Sequence, residues 1–81
     1  MSEAAILDAK GLKCPLPVLR ARKAMRDVAP GGVLQVLATD PGAAKDFEHF
    51  CQVAGHQLID SNEKDGVLIF NIRKAAPPAA G

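Results

Sequence analysis

Two cysteines, Cys14 and Cys51, and two histidines, His49 and His56, are the side chains of this 81-residue chain best suited to covalent chemistry. Cys14 stands in Gly11-Leu12-Lys13-Cys14-Pro15-Leu16-Pro17, after the apolar run Ala5-Ile6-Leu7 and before a helical pattern. Its sulfur is therefore placed where a strand hands over to a helix. Pro15 pushes the residue before it out of the αR region. Proline is also tolerated in a first helical turn, because the N–H it lacks would have no intrahelical partner there. The spacing predicts Cys14 as the N-cap, Pro15 at N1 and Pro17 at N3. A thiol at that point meets the positive end of the helix dipole, which favours thiolate, and Lys13 adds a cation beside it. Cys14 is read as a solvent-reachable nucleophile supported by Lys13, Pro15 and Pro17. The bland alternative is a small buried hydrophobe, the usual fate of a free cysteine.

The company Cys14 keeps narrows the chemistry. No Cys-x-x-Cys pair is present, so thioredoxin-like dithiol exchange lacks its second sulfur. A cysteine hydrolase needs a histidine base. His49 and His56 lie at or just beyond the second helix, and no spacing places either near Cys14. A thiolate without a base can still attack a disulfide or persulfide sulfur and carry a terminal sulfur as a persulfide. Cys51 follows Phe50 on the apolar stripe of a helix and is expected to pack in the core. No close ligand pair suggests a metal site, and His49 and Cys51, two apart on a helix, point to different sides. Arg22 and Arg26 form an i,i+4 pair on the helix that follows Cys14. They are either a solvated face or a contact for a partner that docks at the cysteine. Asp40 is expected to cap the second helix, on the same sheet edge as Cys14, where it can also meet a partner.

These residues need a frame. Residues 4–9 read as a first strand and 15–28 as a helix, with Val18, Ala21, Met25 and Val28 as its buried stripe and Pro30-Gly31-Gly32 as its stop. Residues 33–38, Val33-Leu34-Gln35-Val36-Leu37-Ala38, form a nearly continuous apolar strand expected at the sheet centre. Asp40-Pro41 opens a second helix whose apolar face is Ala44, Phe47, Phe50, Cys51 and Ala54, with Gly55 at C′. Residues 56–62 give a strand of mixed polarity, Asp65-Gly66 a hairpin turn, and Val67 to Arg73 the clearest alternating strand. The predicted fold is α/β (α+β): a two-layer sandwich of βαβαββ order, with a four-stranded mixed sheet, right-handed crossovers and two helices on one face. One domain over 1–74 is expected, with a disordered tail over 75–81.

Composition excludes several classes. A net charge of +1 offers no global attraction to nucleic acid or acidic membranes. The aromatics are Phe47, Phe50 and Phe70 alone, which does not suit a stacking platform for single strands. No run approaches the ~20 apolar residues of a membrane span, and no signal peptide is visible. Two cysteines fit a reducing compartment, so a cytoplasmic location is expected.

The motif residues, together with Leu7-Asp8-Ala9, Arg22-Lys23, Pro30-Gly31, Asp40-Pro41, Phe50-Cys51 and Ile72-Arg73-Lys74, resemble the TusA/SirA family of small sulfur-carrier proteins. The resemblance spans nearly all of the chain except the tail, and the Cys-Pro-x-Pro run after Gly-Leu is its most specific part. It implies a βαβαββ sandwich in which Cys14 accepts the terminal sulfur of a persulfide from a cysteine desulfurase or another sulfurtransferase. Cys14 then passes that sulfur to a downstream relay protein. The implied destinations are tRNA 2-thiouridine, molybdenum cofactor or sulfur oxidation, and Arg22, Arg26 and Asp40 fall at positions associated with partner contact. Leu16 departs from members that carry an acidic residue there, which removes a negative charge beside the sulfur. The chain is expected to be a monomeric carrier rather than a stand-alone enzyme, with no cofactor beyond a transient persulfide. Two other readings stand beside it: a regulatory binding module with a structural cysteine, and a redox enzyme pairing Cys14 with Cys51.

Overall fold

The computed structural model describes residues 5–13 and 15–75. Six elements follow in order: β1 (Ala5–Ala9), α1 (Leu16–Met25), β2 (Val33–Ala38), α2 (Ala43–Ala54), β3 (Gln57–Lys64) and β4 (Val67–Arg73). The sheet order is β1-β2-β4-β3, with β1 parallel to β2 and β4 antiparallel to both of its neighbours. This is the βαβαββ mixed sheet read from the sequence. No helix among the described residues is long and apolar enough to cross a membrane.

Strand register builds the core. Leu7, Val36 and Phe70 stand in one row across the sheet, and Leu34, Ile72 and Leu58 in the next. Because side chains alternate along a strand, these rows share one face. They join Ala21 and Met25 of α1 and Phe47, Phe50 and Cys51 of α2 in a single core, so both helices cover that face. Phe47 is fully buried, 4.8 Å from the Phe70 ring and edge-on to Phe50 at 6.4 Å. The opposite face carries Ile6, Gln35, Asn71 and Asp60 in one row. There Gln35 Nε2 donates to Asn71 Oδ1 at 3.1 Å and Asn71 Nδ2 donates to Asp60 Oδ1 at 2.8 Å.

The element ends differ from the sequence reading in ways that backbone hydrogen bonds explain. Cys14 was expected to cap the first helix, but the N-cap is Pro15, whose carbonyl accepts the first helical bond from Leu19 N–H at 3.1 Å. Pro17 is therefore at N2 rather than N3. At the other end α1 stops at Met25, and the Arg26, Asp27 and Val28 amides bond carbonyls three residues back. That tighter winding turns Val28 into the core, which is why it fits the helical stripe without being helical. Asp40 likewise is not the N-cap of α2; Gly42 is. Asp40 instead starts a turn, taking the Ala43 N–H on its carbonyl at 3.0 Å and the Gly42 N–H on Oδ1 at 3.4 Å. In α2 the buried positions are Ala43, Phe47, Phe50 and Cys51, while Ala44 is half-buried and Ala54 exposed. Gly55 ends α2 at φ 80°, as its place in the sequence requires. The turn Asp65-Gly66 has both φ values positive, 52° and 81°, as a two-residue type I′ hairpin needs. β3 runs to Lys64 rather than Asn62, because hairpin pairing with β4 continues up to that turn.

Candidate functional site

The site is built on the edge of the sheet where the parallel strands β1 and β2 both end. Cys14 itself lies outside the described residues, so its surroundings define the site. After β1, Asp8 Oδ1 accepts the Lys10 N–H at 3.0 Å and the Ala9 carbonyl accepts the Leu12 N–H at 3.3 Å. Gly11 sits third in that turn at φ 82°, a conformation that disfavours any side chain. Nothing lies within 4 Å of where a Cβ would stand, so glycine is needed there for its backbone and not for space. Leu12 then packs against the core. A second turn follows at once, with Leu16 N–H donating to the Lys13 carbonyl at 2.8 Å across Cys14 and Pro15.

The flanking side chains divide the work. Lys13 and Pro15 are exposed, while Pro17 is among the most deeply buried side chains. Pro17 thus anchors the first turn of α1 in the core as well as stiffening it. Leu16 and Leu19 are 46% and 50% exposed, which leaves an apolar border beside the motif. The first turn of α1 holds no acidic residue, so nothing there offsets the positive end of its dipole.

The remaining predicted residues spread along α1 and the sheet edge. Asp40 follows Thr39, whose hydroxyl reaches Gly11, so the motif loop and the Asp40 turn are brought together. Arg22 and Arg26 are both exposed, Arg22 about 9 Å along the axis from Leu16 at 1.5 Å per residue and Arg26 just past the end of α1. Arg22 lines a groove of about 210 Å³ between the helices, with Pro15, Val18, Asp46, His49, Phe50 and Val53. The sequence reading did not single out Asp46, and it weighed His49 as a base with no spacing to place it near Cys14; both line this groove. Their signal is the i, i+3, i+4, i+7 stripe of Asp46, His49, Phe50 and Val53, which faces α1. His56 lies elsewhere: its Nδ1 accepts the Ala75 N–H at 2.9 Å, and its ring is 5.4 Å from Phe50. Burial, with Lys74 nearby, holds its pKa below the ordinary value. Cys51 is buried on the core side of α2, as expected, and burial pushes its thiol up. That environment works against thiolate formation.

The chain is similar in sequence and fold to known proteins. The family model described as Sulfurtransferase TusA matches residues 5–74. A Neisseria meningitidis protein named as a candidate sulfur carrier is 61% identical over 62 residues, covering 76% of this chain and 84% of its own. The sulfur carrier protein TusA of Pseudomonas paraeruginosa is 49% identical over 72 residues, covering 89% of this chain and 91% of its own. The crystal structure of a SirA-like protein from Desulfitobacterium hafniense superposes with a TM-score of 0.77. It shares 31% identity and covers 90% of this chain and 99% of that one. With a family match over nearly all of the fold and relatives this similar along most of their length, the chain belongs to the TusA family.

Proposed function

We propose that this chain is a sulfur carrier in which Cys14 holds the sulfur as a persulfide. Membership of the TusA family over residues 5–74 carries this reading, because the relatives are named as sulfur carriers over the same span. The transfer needs no outside oxidant. The Cys14 thiolate attacks the terminal sulfur of a donor persulfide, the donor S–S bond breaks, and the donor sulfur leaves as thiolate. The proton on the terminal sulfur travels with it, giving Cys14–S–SH. Delivery is the same step reversed in role: an acceptor thiolate takes the terminal sulfur and Cys14 departs as thiolate. A cysteine desulfurase or another sulfurtransferase is the donor, and a downstream relay protein in tRNA thiolation, molybdenum-cofactor synthesis or sulfur oxidation is the acceptor. Each transfer is completed by the docked partner, which suits a motif whose neighbours are Lys13, Pro15 and an apolar border. Arg22, Arg26 and Asp40 are the proposed partner contacts.

The test is mass spectrometry after incubation with a desulfurase and cysteine. One sulfur atom, about 32 Da, is expected on the Cys14 peptide. Cys14→Ser is expected to carry none. Uptake by Cys14→Ser equal to that of the parent would end the carrier reading in favour of a binding module.

A further inference from the structure

We infer that Thr39 is a positioning residue for the motif loop, an inference that rests on the carrier reading above. The paired ladder of β1 and β2 ends at Ala9 opposite Ala38. The next residue on β2's side is Thr39, and its Oγ1 accepts the Gly11 N–H at 2.9 Å. The amides of Lys10, Gly11 and Leu12 are all engaged, but the first and third bond within their own turn, to Asp8 and Ala9. The Gly11 bond crosses to another strand. The hydroxyl thus extends the ladder by one rung beyond the last backbone pair.

That rung falls at a glycine. Gly11 holds φ 82° and has no side chain to pack, so hydrogen bonds rather than side-chain contacts hold its backbone in place. Cys14 is three residues further on. Leu12 is held against the core, so the Gly11–Thr39 bond and the Leu12 side chain together set the direction in which the chain leaves toward Cys14, and a donor persulfide must meet that sulfur in line. Thr39 is exposed, so its hydroxyl contributes little to global stability. Its β-branched body suits the extended end of β2. It also adjoins Asp40, so the tether ties the sulfur-bearing loop to a proposed partner contact.

Two variants test the assignment. Thr39→Val keeps the shape and removes the acceptor, and Thr39→Ser keeps the acceptor. Three quantities are read: Gly11 amide exchange by NMR, sulfur uptake from a desulfurase with cysteine, and the rate of Cys14 with a small neutral dipyridyl disulfide. In Thr39→Val, Gly11 exchange is expected to quicken and uptake to fall by about two- to tenfold, the factor one modest hydrogen bond can supply. The small disulfide, which needs no fixed approach, is expected to react within about twofold of the parent rate, so the ratio of the two rates separates positioning from general damage. Thr39→Ser is expected to restore both exchange and uptake. Parent-like uptake in Thr39→Val, or a Thr39→Ser variant as impaired as Thr39→Val, overturns the inference and leaves the carrier reading standing. A parent chain that takes up no sulfur overturns the carrier reading instead, and Gly11 exchange in Thr39→Val still decides whether the tether exists.

Discussion

At the scale of single residues, the motif is a contrast between one deeply anchored proline and an exposed rim. Pro17 is buried while Lys13, Pro15 and Leu16 face water, so the loop is held from below and open above. Leu16 decides the local charge. Leu16→Glu places a carboxylate in the first turn of α1, where it offsets the dipole and Lys13, and alkylation of Cys14 at neutral pH is expected to slow. An unchanged alkylation rate would show that local charge does not govern the thiol. In the core, Phe47 touches both Phe50 and Phe70 with no exposed surface. Phe47→Ala is expected to cost about 3–5 kcal/mol in urea unfolding. That is a large share of the ~5–15 kcal/mol available to a small domain. The turn chemistry around Cys14, glycine at Gly11 and prolines at Pro15 and Pro17, was legible from neighbours in sequence. Asp46 and His49 were not, because their relation to Pro15 and Arg22 exists only once two helices lie side by side.

At the scale of elements, the ends of helices and strands carry the testable physics. Gly55 closes α2 at φ 80° in open space, so Gly55→Ala is strained by its backbone alone and is expected to cost about 1 kcal/mol in unfolding free energy. The C-terminal end of β4 is held by two side-chain bonds: Lys74 Nζ donates to the Val28 carbonyl at 2.7 Å, and His56 Nδ1 accepts the Ala75 N–H at 2.9 Å. Only a neutral His56 can accept that bond. Its folded pKa lies below the ordinary 6.5, lowered by burial and then by Lys74. The unfolded chain therefore binds the proton first as pH falls. The stabilisation is complete above 6.5 and is lost progressively as pH drops through 6.5 toward the lower folded value. His56→Asn, which keeps an acceptor that does not titrate, is expected to flatten this part of the stability profile between about pH 7.5 and about pH 5.5, roughly one unit either side of an ordinary histidine. An identical slope in variant and parent would remove His56 as its source. The tail expected from residue 75 onward begins with this anchored Ala75, and residues 76–81 lie outside the described residues.

At the scale of the whole molecule, a net charge of +1 conceals a basic stretch along α1. Lys13, Arg20, Arg22, Lys23 and Arg26 stand on or beside α1, and residues 13–26 include no acid. An exposed run of this kind steers an acidic partner over roughly one Debye length, about 8–10 Å at physiological salt. Sulfur uptake is expected to slow as ionic strength rises, and Arg22→Ala to weaken that dependence. Uptake that ignores salt would assign the basic residues of α1 to solubility alone. The architecture itself was readable in advance. The nearly continuous apolar run of β2, the alternation of β4, the Asp65-Gly66 turn and the two helical stripes each specify a local element, and their order leaves few ways to close a sheet.

What the sequence determined by itself was whatever depends on neighbours within a few residues. That covers the order of elements, the hairpin turn, the glycine that ends α2, and a Cys-Pro motif at a strand-to-helix joint. The tertiary structure decided the rest. It moved both helix caps downstream, since competing turns at Lys13–Leu16 and Asp40–Ala43 take the amides first. It also set His49 and Asp46 opposite Arg22 and joined Gly11 to Thr39 across 28 positions of chain. Such contacts depend on packing between distant segments, and no local periodicity encodes which side chain will stand across from which.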